Sequence, residues 1–123
     1  MSDRELLELA AKAAGHRIVE WVQDGNKVDI AIIIRGDGDG FSKRPWQPLL
    51  ENQMTDADGD ALRLAVKLEM DFVWDFDRIE IYYGIEKDYV VEYFYALPTP
   101  TDRHAATRRA IVRAAAEIGR NMS

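Results

Sequence analysis

At 123 residues the chain has the length of a single domain, 1–123, built on one core, and a content of 47% hydrophobic and 31% charged residues excludes the disordered class. With no cysteine, disulfides, thiolate metal sites and cysteine nucleophiles are excluded as well. The net charge of −6 is unevenly spread: residues 102–123 carry five Arg against Asp102 and Glu117, a local +3 that leaves −9 on the other residues, and such a surface repels a phosphate backbone while attracting a basic protein.

Ser2 and Glu5 have capping-box spacing, and Leu6, Leu9, Ala10 and Ala13 recur at helical intervals up to Gly15, a residue suited to a left-handed helix end. The spacing predicts a first helix over 3–14. The same opening mixes acids into its apolar residues, unlike a secretion signal, which leads to the expectation of a cytoplasmic protein. From Arg17 the composition turns β-rich, with Ile18, Val19, Trp21 and Val22 before Asp24-Gly25-Asn26 and Val28, Ile30 and Ile32 to Ile34 after it. This predicts a hairpin in which Asp-Gly supplies the positive φ angles of the turn. The apolar run from Ile30 to Ile34 is too short to cross a bilayer, which takes roughly 20 residues as a helix.

Residues 36–56, with alternating Gly and Asp and with Pro45 and Pro48, read as a long irregular connection. A second helix is predicted over 58–70, capped by Asp56 or Asp58. Ala61, Leu62, Ala65, Val66 and Leu68 form its inner face, and Arg63, Lys67 and Glu69 its outer one. Phe72 to Tyr95 reads as an antiparallel pair or triplet of strands with a turn near Gly84–Lys87, stopped by Pro98 and Pro100. A last helix is predicted over 102–119, capped by Thr101 or Asp102. Its alanine-rich face would let it lie close to a sheet, and Arg108, Arg109 and Arg113 are placed on the outside. The predicted class is therefore α+β, in the order α-ββ-α-ββ(β)-α, with one antiparallel or mixed sheet of about four or five strands and three helices.

Two blocks carry a resemblance. Trp46-Gln47-Pro48-Leu49, followed by Asp58-Gly59-Asp60-Ala61-Leu62-Arg63-Leu64-Ala65-Val66-Lys67-Leu68, resembles a block of small phage and prophage proteins. Thr107 to Glu117 is similar to the alanine-rich C-terminal helix of the same group. The group looks like the phage ABA-sandwich domain proteins, with a weaker similarity in layout to NinX-like proteins. The resemblance implies a layered small domain encoded by a phage or prophage, with no established activity and no catalytic residues to carry over. The chain departs from the pattern at Gln47, where Asn is expected.

Chemistry-bearing constellations each have a plainer reading. Asp56-Ala57-Asp58-Gly59-Asp60 alternates acids as a calcium loop does, but a loop counted from Asp56 has Ala61 where glycine is needed and Lys67 where the bidentate Glu belongs. Acids favouring a helix N-terminus are the preferred reading. Asp37 and Asp39 among glycines are ordinary turn chemistry, and the glycine spacing fits neither a P-loop nor a dinucleotide motif. His16 and His104 are the only histidines and Ser2, Ser42 and Ser123 the only serines, none with the context of a metal site or a catalytic triad. We therefore expect no catalytic residues, no metal and no cofactor, and the balance is against an enzyme.

What remains is aromatic. Trp46, beside Pro45 and Pro48, is either a loop anchor or an exposed contact residue, with the anchor preferred. Tyr89, Tyr93 and Tyr95, with Tyr82 nearby, place tyrosines on both faces of a strand pair, of which one must be core and the other could be a contact surface. The leading expectation is an accessory phage or prophage protein acting by protein–protein contact through Trp46, Tyr82, Tyr89, Tyr93 and Tyr95, with a host or phage protein or a second copy of the chain as partner. The alternative is an enzyme or small-ligand binder with a carboxylate-lined loop pocket around residues 36–60. The arginines Arg108, Arg109 and Arg113 offer a weaker nucleic-acid contact.

Overall fold

The computed structural model describes residues 1–35, 42–94 and 102–122. Its elements in chain order are α1 (Asp3–Ala14), β1 (His16–Gln23), β2 (Asp29–Arg35), β3 (Lys43–Trp46), α2 (Ala57–Lys67), β4 (Asp71–Trp74), β5 (Arg78–Tyr83), β6 (Asp88–Tyr93) and α3 (Arg103–Arg120). The class is α+β. In place of one sheet of four or five strands, the described residues form two antiparallel sheets of three strands, ordered β1-β2-β3 and β4-β5-β6.

The extra strand is β3, inside the segment expected to be irregular. Its sequence Lys-Arg-Pro-Trp has no alternation to read, yet it pairs with β2 in the register Ala31–Trp46, Ile32–Pro45, Ile33–Arg44 and Ile34–Lys43. β3 is an edge strand, where the missing amide of Pro45 is tolerated.

α1 follows its local signals. The Glu5 amide donates to Ser2 Oγ at 3.1 Å, the Ser2 amide donates to Glu5 Oε1 at 3.4 Å, and Gly15 takes a φ of 76° to end the helix. The hairpin between β1 and β2 has its positive φ at Lys27, 63°, instead of at Gly25. Asp24 builds this turn: its carbonyl accepts from Lys27, and its carboxylate accepts from the amides of Asn26 at 2.8 Å and Val28 at 2.9 Å. In β1 the register slips between Ile18 and Glu20. The slip lets Ile18 and Trp21, three residues apart, both pack on the core.

α2 is capped by Asp56, whose Oδ1 accepts from the Gly59 amide at 3.0 Å. Its buried side chains are Ala57, Asp60, Ala61, Leu64 and Ala65. The predicted inner face is therefore rotated: Leu64 is core, while Leu62 and Val66 are exposed. A helix with apolar residues at 61, 62, 64, 65, 66 and 68 has more than one candidate apolar stripe, and tertiary packing selects the one containing Leu64.

α3 is the centre of the molecule, in contact with α1, α2, β5 and β6. It is capped by Asp102, whose carboxylate accepts from the His104 amide at 2.8 Å; the alternative cap, Thr101, lies outside the described residues. Its alanines Ala106, Ala110, Ala114, Ala115 and Ala116 are all buried. The closest approach they allow is to α1 rather than to a sheet. At Gly119 an added Cβ would sit 2.0 Å from the Leu9 carbonyl oxygen, so only glycine lets the two helices touch there. Since α1 also contacts β1, packing runs from the first sheet through α1 and α3 to the second. One core cluster joins Leu7, Ile33 and Trp46 with Ile79, Ile81, Val90 and Ile111.

The outward placement expected of Arg108 is overturned. It is only 4% exposed, donating to the Leu49 carbonyl at 3.2 Å and to Asp58 Oδ1 at 2.7 Å. Arg109 pairs with Asp3 at 3.4 Å, and Arg113 pairs with Glu92 and donates to the Val91 carbonyl at 2.9 Å. All three arginines thus have partners within the chain.

Candidate functional site

Strand alternation sorts the second sheet into two faces. β5 sends Ile79, Ile81 and Tyr83 inward, where they meet the core, and sends Arg78, Glu80 and Tyr82 outward. The register completes the outer face: Tyr89 stands opposite Tyr82, Tyr93 opposite Arg78, and Val91 and Val73 flank Glu80 from either side.

The residues of this face are tied to one another. Arg78 Nε donates to Glu80 Oε2 at 2.9 Å, the Tyr82 hydroxyl donates to Glu80 Oε1 at 2.8 Å, and the rings of Tyr82 and Tyr89 lie 5.5 Å apart. The hydrogen bond from Arg78, followed by that from Tyr82, holds the Glu80 carboxyl below the usual carboxylate range. Donation to Glu80 raises the Tyr82 phenol, and Glu80 also raises Arg78. The row Arg78, Glu80, Tyr82 is therefore a fixed polar spine flanked by aromatic and aliphatic groups.

The face is open: Tyr89 is 60% exposed, Tyr93 55%, and Val73 is exposed beside them. Large, stiff, amphipathic rings on a sheet surface are the composition of a contact patch, since they bury much area at small entropic cost and still offer a hydroxyl. Along one edge of the same sheet, Leu62, Phe72, Trp74 and Ile111 line an apolar groove of about 380 Å³ between α2, α3 and β4.

Of the five predicted contact residues, three are brought together here: Tyr82, Tyr89 and Tyr93. Tyr95 lies outside the described residues. Trp46 is not a contact residue; at 1% exposure it is an anchor, packed against the edge of the His16 ring at 5.7 Å between centroids. Trp46 heads a buried block that sequence reasoning treated only as a resemblance. Gln47 is fully buried, its amide nitrogen donating to the Asp29 carbonyl at 2.6 Å and its Oε1 accepting from the Leu49 and Leu50 amides at 2.8 and 3.2 Å. Its own backbone amide donates to Asp60 at 3.1 Å.

The acids of 56–60 hold structural positions: Asp56 caps α2, Asp58 pairs with Arg108, and Asp60, buried, accepts from Arg63 at 2.7 Å. Among the described residues no group of three or more His, Asp or Glu side chains converges as a metal site would require. The turn acids Asp37 and Asp39 lie outside the described residues. A cleft beside α2 is lined by His16 and by three cationic side chains, Arg44, Arg63 and Lys67, with Asp60 its one acid among the described residues. No helix of the described residues is long and apolar enough to cross a membrane.

Comparison with known protein families, with curated proteins and with solved structures gives no match.

Proposed function

We propose that this protein acts by protein–protein contact, with the outer face of β4, β5 and β6 as its contact surface. The observation that carries this reading is the pair of exposed rings, Tyr89 and Tyr93, with the half-buried Tyr82 beside them around the Arg78–Glu80 pair, on a sheet whose other face is core. The excess of acids over bases favours a basic protein partner. An accessory role for a phage or prophage, in the cytoplasm of a bacterial host and with a host or phage protein as partner, belongs to the same proposal. It rests on the resemblance of the Trp46–Leu49 and Asp58–Leu68 blocks to ABA-sandwich proteins, whose layering it shares by that reading.

The test compares the native chain with a variant carrying Tyr89→Ser and Tyr93→Ser, each immobilised and exposed to bacterial lysate at low salt with crosslinking. Proteins held by the native chain and lost from the variant support the reading. An identical set on both, or nothing on either, sinks it. Light scattering on the purified chain separates a second copy from a foreign partner: self-association abolished by the same pair of substitutions assigns the face to a homodimer.

A further inference from the structure

We propose that the free edge of β4, together with the apolar groove beside it, binds an extended peptide of a partner protein as an added antiparallel strand, with apolar side chains at alternate positions and basic residues at its ends. This edge lies apart from the outer tyrosine face and uses none of its rings. β4 is the outermost strand of its sheet and is bonded to β5 alone. The Asp75 amide donates to the Arg78 carbonyl at 2.9 Å, which sets the phase of the ladder. Asp71, Val73 and Asp75 therefore bond to β5, and the amides and carbonyls of Phe72 and Trp74 point away from it. Among the described residues these groups have no hydrogen-bond partner. Unpaired donors and acceptors at alternate residues of an edge are a template for one more strand.

The same two residues carry their side chains into the groove. Phe72 and Trp74 stand opposite Ile81 and Ile79, on the inner side of the sheet. With Leu62 of α2 and Ile111 of α3 they line the apolar groove of about 380 Å³. Trp74 is 53% exposed and Leu62 58%, and Val66, one helical turn further along α2, is 69% exposed. In an antiparallel pairing, the residues that exchange bonds with Phe72 and Trp74 present their side chains to the same face as those two. Alternate peptide residues would enter the groove, where each apolar side chain covers surface that otherwise faces water. β3, an edge of the first sheet, instead carries Lys43, Arg44 and Pro45, residue types that discourage an added strand.

Charge selects the occupant. Glu69, Asp71, Asp75, Asp77 and Glu80 lie on or beside β4, and the cations that pair with them are Arg78, to Asp75, Asp77 and Glu80, and Lys87, to Asp71. Five acids against these two cations leave a local charge of −3. A second copy of the chain paired through β4 would bring two such acidic rims together, whereas a peptide with basic ends meets the rim with opposite charge.

The test titrates the synthetic peptide Lys-Lys-Thr-Ile-Thr-Ile-Thr-Lys-Lys into the isotope-labelled protein and follows amide chemical shifts. Saturable shifts are expected at Leu62, Phe72 and Trp74. N-methylation of both isoleucines removes the donors that reach the Phe72 and Trp74 carbonyls and should weaken binding about tenfold. N-methylation of the central threonine, whose amide faces away from β4, should leave binding unchanged. Leu62→Ser, which takes away an exposed wall of the groove, should weaken it several-fold. The absence of saturable shifts, equal effects of the two N-methylations, or a Leu62→Ser variant that binds as the native chain does overturns the proposal. The variant carrying Tyr89→Ser and Tyr93→Ser should bind the peptide normally. Loss of binding in it would place the peptide on the outer face and overturn the edge site while supporting the tyrosine surface. A dimer seen by light scattering and abolished by Leu62→Ser would give the edge to a second copy and overturn the peptide assignment.

Discussion

The two sheets share one topology and differ in what covers them. Each is an antiparallel three-stranded meander entered from a helix, α1 leading into β1-β2-β3 and α2 into β4-β5-β6. The first sheet is strapped. Its hairpin turn is held by the segment after β3, through the Gln53 amide donating to Asp24 at 3.1 Å and the Gly25 amide donating to Gln53 Oε1 at 3.2 Å. Gln47 adds a half-buried bond from the same segment to β2. The second sheet has no such strap among the described residues: its Gly84–Lys87 turn leaves Ile85 fully exposed, and its outer face carries open tyrosines. Identical strand order thus has two outcomes, one sheet held by a loop and one with an open outer face, the face we propose for contact. What decides between them is the 47–56 segment and not the strands.

If that is right, substitutions in the strap should cost far more than substitutions on the open face. Trp46→Ala should have the largest effect. It empties a fully buried site at the junction of β3, α1 and α2, and a loss of about 4 kcal/mol is expected from urea denaturation. Gln47→Ala should follow at about 2 kcal/mol, because the amides of Leu49 and Leu50 and the Asp29 carbonyl lose their partner inside the protein. A Gln47→Ala variant as stable as the native chain would mean that the segment rests on the sheet without holding it.

The open face should behave in the opposite way. Tyr89→Ser and Tyr93→Ser each leave a ring's worth of surface in water either way, so each should change stability by less than about 0.5 kcal/mol in the same assay. A loss as large as that of Gln47→Ala would show that the tyrosines support the fold, and the contrast between the sheets would fail.

Legibility in the sequence follows the range of the interactions involved. The capping box of α1, the Gly15 stop and the tyrosine face were readable because each depends on residues a few positions apart, or on strand alternation. β3 was not, since nothing local in Lys-Arg-Pro-Trp distinguishes an edge strand from a loop, and its pairing is with residues about a dozen positions away. Arg108 reads as a surface residue at helical spacing. Its burial is created by Leu49 and Asp58, 59 and 50 positions earlier. The rotation of α2 that exposes Leu62 and Val66 was likewise settled by packing. Gln47 marks the strap, and the one signal for it was a polar residue between Trp46 and Pro48 in a block otherwise apolar. The positive φ at Lys27 depended on how Asp24 folds the turn around its carboxylate, which the Asp-Gly pattern does not specify.

That carboxylate also gives the finest probe of the strap. Amide donors, first Val28 and then Gln53 and Asn26, hold the Asp24 carboxyl below its ordinary value in the folded chain. A depressed folded pKa means that the unfolded chain takes up a proton more readily. The stabilisation is therefore complete above the unfolded value, about 3.9, and is lost as pH falls through the lower folded value. The substitution Asp24→Asn would keep one acceptor but remove the charge, so the variant's stability should not share this dependence. Asp29 and Glu80 are also depressed, so the native chain alone would not single out Asp24. The difference between the native and Asp24→Asn urea midpoints does. It should be constant from pH 7 down to about 4.5 and should shrink below about pH 4, the range in which the native carboxylate takes up its proton. A gap that stays open at the acid end would mean that the turn depends on the shape of the side chain, with its charge contributing nothing to holding the first sheet.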